Sequence, residues 1–392
     1  MDSIDILEKL VAFPTVCGRP NIDLINFTRS TLAENGIESE IFPNETGDRA
    51  NLFATVGPKD ASGIILSGHT DVVSTEGQSW TFPPFEMTRA DDRLFGRGTA
   101  DMKGFVAAAL AAALRAKNQS LTAPLHLAFS FDEEAGCLGV HSMLRELADR
   151  RKPRLCLVGE PTLMQVVVGH KGKMEARVTC VGRAAHSSLA PHAENAIYLG
   201  VEFIEAVRLE QQRLVAEGGR DEAYDLPYST LHVGLIRGGR ALNIVPDLCT
   251  LEFEIRHLPE DSPEQIMDRL REAASRISGR AREHTPEATV EIDITNYYPG
   301  LQTAPDSNAV QLVKTASGSS VVGKVAYGTE GGLFSDYLNV PTIVCGPGSI
   351  TQAHKPDEYI EVSQIRRCDE MLDALVAQLS EAPPSLLCQS DS

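Results

Sequence analysis

The sequence predicts an α/β chain in which a mostly parallel sheet, covered by helices on both faces, is interrupted by a smaller inserted α+β domain. Two patterns carry this expectation. In the first and last parts of the chain, short apolar runs of strand length alternate with helical patterns, as crossover-connected parallel strands do. The middle instead alternates apolar and polar residues with a period of two, the mark of half-buried strands. A length of 392 residues also exceeds one typical domain.

Strands are expected at residues 64–67, 125–131 and 155–158, each an apolar run stopped by polar or glycine residues. A further one, 342–345, stops at Gly346-Pro347-Gly348. The alanine-rich run 105–114 is far too short to span a bilayer and reads as a buried helix. In the middle, Met174, Ala176, Val178 and Cys180 alternate with Glu175, Arg177 and Thr179. A helical pattern over 195–213 follows, then strands around Leu231/Val233/Leu235 and Leu251/Phe253/Ile255. Ser262-Pro-Glu-Gln265 reads as a capping box with proline at the first helical position, opening a helix through Ile266, Leu270 and Ile277. Val290/Ile292/Ile294 form the last strand. The order β-α-β-β-α-β is that of small ferredoxin-like domains. The insertion is therefore expected at 174–298, with 1–173 and 299–392 forming one discontinuous domain. The polar tail after Glu381 is expected to fray.

Composition narrows the function. Hydrophobic residues make up 42% and charged residues 23%, and the formal net charge is −18. No basic stripe is present to neutralise phosphates, which argues against nucleic acid as a partner. The first thirteen residues carry acids rather than a basic segment before an apolar core, so neither a secretory leader nor a membrane partner is expected. Eight cysteines without a C-x-x-C pair suit a reduced, cytoplasmic chain and speak against a cysteine-based zinc site.

Five segments hold the chemistry: Ser67-Gly-His69-Thr-Asp71, Gly98-Thr-Ala-Asp101-Met-Lys-Gly104, Asp132-Glu133-Glu134, Gly159-Glu160-Pro161 and Ala353-His354-Lys-Pro-Asp-Glu358. Three lie just past expected strands, where the loops of an open parallel sheet converge on ligands. Two histidines with several carboxylates form a donor set suited to zinc, cobalt or manganese. Taken singly each piece is weak. H-x-D is a common structural pair, Asp101 could be only a helix N-cap, and adjacent acids such as Glu133-Glu134 commonly open a solvated helix.

Together, in this order, the five segments resemble the co-catalytic dizinc family of aminoacylases, glutamate-releasing carboxypeptidases, succinyl-diaminopimelate desuccinylases and acetylornithine deacetylases. The resemblance covers nearly the whole chain. It implies that His69 and Glu160 hold one Zn(2+), that Glu134 and His354 hold a second, and that Asp101 bridges them, with Co(2+) able to substitute. It implies that Asp71 orients His69, that Glu133 is the general base acting on water held between the metals, and that the Asp101-Met102 peptide is cis. In the insertion, His186 resembles the family histidine that stabilises an oxyanion in a partner subunit's active site, which implies a homodimer through the inserted domain. Asn243 and Arg256 resemble substrate-carboxylate contacts, although Arg256 lies beside Glu252 and Glu254 and an ion pair competes.

Cys345 through Glu358, and Gly328-Thr-Glu330, look most like the acetylornithine deacetylase branch. The implied substrate is a small N-acylated amino acid, N-acetylornithine, with succinyl-diaminopimelate as runner-up. Gly331, a further expected substrate contact, and Gly332 stand where the resemblance implies a bulkier pair. Glu330 could meet a cationic side chain or support the site from behind. Among rivals, a serine hydrolase built on Ser67, His69 and Asp71 fails because such close neighbours in a strand cannot assemble nucleophile, base and orienter, and no G-x-S-x-G elbow is present. A dinucleotide fingerprint at Gly96-Arg-Gly98 fails because its sixth position is Asp101. A metal-binding scaffold without catalysis is opposed by the presence of Glu133.

Overall fold

The computed structural model describes residues 1–150 and 153–380; the tail expected to fray after Glu381 lies outside them. The chain divides into two units, one made of Met1–Gly169, Leu301–Lys324 and the chain from Thr329 onward, the other of His170–Gly300 with the short segment Val325–Gly328.

Among the described residues, the first unit's main sheet has nine strands. Its centre is parallel, running Leu125–Ser130, Ile64–His69, Leu155–Pro161 and Thr342–Gly346 in spatial order. Ile64–His69, Leu155–Pro161 and Thr342–Gly346 are buried throughout, which is why they read as continuous apolar runs rather than alternating ones. Antiparallel strands flank this centre. Ala50–Val56 pairs with Leu125–Ser130 and with Ser39–Pro43, and Val166–His170 pairs with Thr342–Gly346.

Helices cover both faces. On one, the alanine-rich helix Lys103–Ala116 packs between Ser3–Val11 and Val362–Ser380, its small side chains permitting close approach on nearly every side. On the other, His141–Ala148 packs with Gly331–Leu338, which lies against Leu155–Pro161. This is the α/β architecture that the sequence predicts.

The second unit has the element order β-α-β-β-α-β: strand Gly172–Val181, helix Ala196–Glu217, strands Thr230–Gly238 and Leu248–His257, helix Pro263–Arg282 and strand Thr289–Tyr298. Its antiparallel sheet places Leu248–His257 and Gly172–Val181 in the centre, with Thr230–Gly238 and Thr289–Tyr298 at the edges. Burial alternates strictly along both central strands, and their buried residues form one core with Leu199, Phe203, Ile266, Leu270 and Ile277 of the helices. Ser262 caps its helix by accepting the Gln265 N–H at 3.3 Å, with Pro263 in the first turn.

Candidate metal centre and active site

The donor groups of the first unit gather at the carboxyl ends of the parallel strands. His69 ends its strand, Glu160 stands next to the end of the neighbouring one, and Glu133 and Glu134 follow Leu125–Ser130. Asp101 stands two residues before the helix Lys103–Ala116, joined to the N-cap Met102 by a cis peptide bond. His354 sits in the loop after Thr342–Gly346, at φ 62°. His69 Nε2 lies 3.1 Å from Asp101 Oδ1 and 3.9 Å from Glu160 Oε1. His354 Nε2 lies 3.2 Å from Asp101 Oδ2 and 3.1 Å from Glu134 Oε2. Two donor groups result, His69/Asp101/Glu160 and Asp101/Glu134/His354, with donor atoms within 4.8 Å of one another in each and Asp101 common to both.

The orientation of His69 is set by its own chain. Its Nδ1 lies 2.9 Å from the Asp71 backbone carbonyl. A carbonyl only accepts, so Nδ1 carries the proton and Nε2 is the ring nitrogen turned toward Asp101. The Asp71 carboxylate is more distant from the ring, at 3.6 Å, and instead accepts the N–H groups of Glu133 and Glu134, each at 3.1 Å. Asp71 thus meets the imidazole chiefly through its backbone, while its side chain holds the acidic loop.

Electrostatics point to a cation. Burial raises the carboxyl pKa of Glu133 and Glu160 well above the ordinary value, and neighbouring acids add to the rise. Glu134 is raised for the same reasons, burial first and then Asp101. Burial alone would depress His69, but the surrounding Asp101, Asp71 and Glu160 lift it well above the usual imidazole value. Hydrogen bonding to Asp101 and Glu134 raises His354 to about 10. Asp101 is held well below the ordinary value, its burial outweighed by the two imidazoles. The field that keeps protons on these imidazoles equally favours a metal ion in their place. A nitrogen-and-carboxylate donor set of this kind fits zinc or a neighbouring transition metal.

Glu133 stays out of both donor groups while lying close enough to feel His69, Glu134 and Glu330. A further cluster, Cys17/Asp71/Asp132, is already engaged. Asp132 pairs with Arg49 and accepts the Gly18 N–H at 2.9 Å, while burial, then Asp71 and Asp132, keep Cys17 a neutral thiol.

Glu330 is 1% exposed and lies with the hydroxyls of Ser130 and Ser67, within electrostatic reach of His69 and Asp71. Burial lifts its pKa to about 7. Gly331 is buried at the start of the helix Gly331–Leu338, and its N–H donates to Thr329 Oγ1 at 2.9 Å.

His186, Asn243 and Arg256 belong to the second unit. His186 and Asn243 sit on adjoining segments, since Ser187 N–H donates to the Asn243 carbonyl at 3.0 Å and His186 bridges to Ile244. His186 is exposed, and its Nδ1 accepts the Ser188 N–H at 3.3 Å and meets the Ser188 hydroxyl at 2.8 Å, leaving Nε2 as the ring N–H. Arg256 directs Nε and Nη2 to the two Glu254 oxygens at 3.2 Å each, and Nη1 to Tyr298 Oη at 3.1 Å. The competing ion pair is thus formed, along the strand rather than across it.

Sequence reading missed Arg97 and Glu358, both 1% exposed and paired at 2.7 Å. The signal was available, because a Glu four residues after His354 and an Arg four before Asp101 are charges placed in segments that had to be buried.

A parallel sheet whose strand ends bring two imidazoles and several buried carboxylates together is the scaffold of a metal-dependent hydrolase. The chain belongs to the peptidase family M20/M25/M40, whose model matches residues 65–378. It is 33% identical over 380 residues to an acetylornithine deacetylase of Klebsiella pneumoniae (strain 342), covering 95% of this chain and 96% of that one. It is 34% identical over 361 residues to an acetylornithine deacetylase of Aliivibrio fischeri (strain ATCC 700601 / ES114), covering 91% of each. In fold it is similar to an M20 family metallo-carboxypeptidase from Sulfolobus solfataricus, with TM-score 0.80 at 18% identity over 97% of this chain and all of the other. A tripeptidase from Staphylococcus aureus gives a TM-score of 0.75 at 18% identity, covering 96% of this chain and 98% of that one. Among the described residues no helix is long and apolar enough to cross a membrane.

Proposed function

We propose that this chain removes the acetyl group from N-acetylornithine, giving ornithine and acetate within arginine biosynthesis in the cytoplasm. The observation that carries the hydrolytic reading is the convergence of His69 Nε2 and His354 Nε2 on the two oxygens of Asp101, beside a Glu133 that belongs to neither donor group. The curated relatives support the choice of acyl amino acid.

His69, Asp101 and Glu160 would hold one zinc ion, and Asp101, Glu134 and His354 a second, with cobalt able to replace them. Bound there, the ions supply positive charge that acidifies the attacking water and polarises the acyl carbonyl. Glu133 takes the proton as the water oxygen forms its bond to the acyl carbon. As the C–N bond breaks, the same carboxyl delivers that proton to the departing amine. Burial and neighbouring acids make Glu133 a stronger base than a solvated glutamate, which suits it to both transfers.

The second unit contributes to substrate handling through His186, Asn243 and Arg256. The Nε2–H of the partner subunit's His186 would donate to the oxyanion that develops on the acyl oxygen. Arg256 would meet the substrate carboxylate only by exchanging its Glu254 partner. A homodimer through this unit is favoured by the apolar side chains it exposes, among them Leu235 and Ile236 on the edge strand Thr230–Gly238 and Leu242 and Ile244 just beyond.

A panel of N-acetylornithine, N-succinyl-diaminopimelate and simple dipeptides, assayed with zinc-loaded and chelator-treated protein, tests the reading. Metal-dependent preference for N-acetylornithine supports it. Preference for the succinylated substrate reassigns the acyl specificity, and activity that survives complete metal removal defeats the mechanism.

A further inference from the structure

The two donor groups are built with unequal rigidity. His69 is 1% exposed and ends a strand of the sheet centre, hydrogen-bonded on both sides. His354 lies in a loop, and its side chain is 53% exposed, so packing does little to fix it. What holds its backbone is a chain of polar contacts, buried at Arg97 and Glu358 and exposed where Gln78 meets His354. Gln78 Nε2 donates to the His354 carbonyl at 3.0 Å, and Gln78 Oε1 accepts from Arg97 Nη2 at 2.6 Å and from Trp80 Nε1 at 3.1 Å. The Arg97 guanidinium lies over the Trp80 ring, 4.9 Å from its centroid. Its other arm, Nη1, donates to Glu358 Oε2 at 2.7 Å. Glu358 Oε1 then accepts the N–H groups of Ala100 at 2.9 Å and Asp101 at 3.1 Å.

One carboxylate therefore grips the backbone of the shared donor Asp101, while its arginine reaches through an amide to the backbone of His354. A second clamp runs alongside, because Asp357 Oδ1 accepts the N–H groups of Thr81 at 2.7 Å and Phe82 at 3.2 Å. A buried Arg–Glu pair is weak evidence for stability, since desolvation offsets much of the attraction. Its geometry is better suited to fixing register, because the bifurcated carboxylate and the planar fork leave little freedom to either loop.

We infer that Glu358, Arg97 and Gln78 are positioning residues that set the distance between Asp101 and His354, and so govern retention of the ion held by Asp101, Glu134 and His354 independently of the ion held by His69, Asp101 and Glu160. The inference rests on the two-ion reading proposed above. It extends that reading to residues that touch neither ion nor substrate.

The decisive substitution is Gln78→Glu. It keeps the side chain's size and its acceptor for Arg97, and removes only the donor to the His354 carbonyl. Its added negative charge would strengthen cation binding if it did anything, so a loss of affinity reports the broken tether. Calorimetric titration of metal-stripped full-length protein with zinc is expected to show two equivalents in the parent. In Gln78→Glu one equivalent should weaken by about 10- to 100-fold while the other is unchanged. The thermal midpoint of the metal-free protein should match the parent's. Glu358→Gln should weaken the same equivalent, and cobalt absorption should show which coordination environment is perturbed.

Two parent equivalents with both or neither weakened in Gln78→Glu would overturn the positioning role and leave the two-ion reading intact. Fewer than two equivalents in the parent would defeat the two-ion reading and this inference with it.

Discussion

Asp71 Oδ1 accepts the backbone N–H of Glu133 at 3.1 Å, so the carboxylate two residues beyond His69 fixes the loop that carries Glu133. Its second oxygen does the same for Glu134, a donor in the second group. Removing the carboxylate leaves two N–H groups in a part-buried loop without partners, and each such loss costs about 1–3 kcal/mol. Asp71→Ala is therefore expected to lower stability by a few kcal/mol and activity by at least tenfold. Asp71→Asn, which keeps one acceptor oxygen, should fall between. Urea unfolding of the metal-free variants separates this from a role confined to the imidazole, for which stability would barely change.

Gly159 precedes Glu160 and has no room for a side chain. A Cβ there would lie 1.9 Å from Phe105 Cγ, whose ring is fully buried beneath the centre. Gly159→Ala should destabilise the fold by about 1–3 kcal/mol or more through overpacking and displace Glu160 from His69. Combining it with Phe105→Leu should cost less than the sum of the two single changes, a coupling that a double-mutant cycle measures. Strict additivity would contradict the steric account.

His126 predicts the acid side of the stability profile. Burial, with Arg150 nearby, lowers its pKa from 6.5 to about 4, and its ring stacks on Phe53 while Nδ1 meets Thr55 Oγ1 at 3.0 Å. Because the folded value is depressed, the unfolded chain takes up the proton first as pH falls. The stabilisation is full above pH 6.5 and is lost between 6.5 and 4, a loss on the order of 3 kcal/mol at most. His126→Phe should flatten the fall in stability between pH 7 and 4.5 measured by urea titration. Parallel curves for parent and variant would remove His126 from the account.

His186 offers a kinetic test. If its Nε2–H meets a charge that exists only in the transition state, His186→Ala should cut turnover by about 100-fold while KM changes little. A rise in KM with unchanged turnover would assign it to substrate binding instead.

Much of the architecture was legible because parallel strands buried on both faces leave unmistakable apolar runs, as at Ile64–His69 and Leu155–Pro161. The inserted unit was legible because Gly172–Val181 and Leu248–His257 bury every second residue. The flanking strands Ser39–Pro43 and Val166–His170 were not, since the first is partly exposed without clean alternation and the second has only three apolar residues before Gly169. The donor residues stood out as acids and histidines in five spaced segments, three of them just past expected strands. What holds them did not, because Asp71 acts through its carboxylate on the Glu133 backbone and Glu358 reaches Arg97 across 261 positions of sequence. Spacing along the chain carries no trace of such contacts.

In the reaction proposed above, Glu133 carries the proton beside bound metal. The most direct test is N-acetylornithine hydrolysis by Glu133→Gln protein whose zinc content has been measured alongside the parent's. The account predicts equal metal content with turnover reduced by about 10²- to 10⁴-fold, the usual contribution of a positioned acid–base group. Undiminished turnover at equal metal content would contradict it.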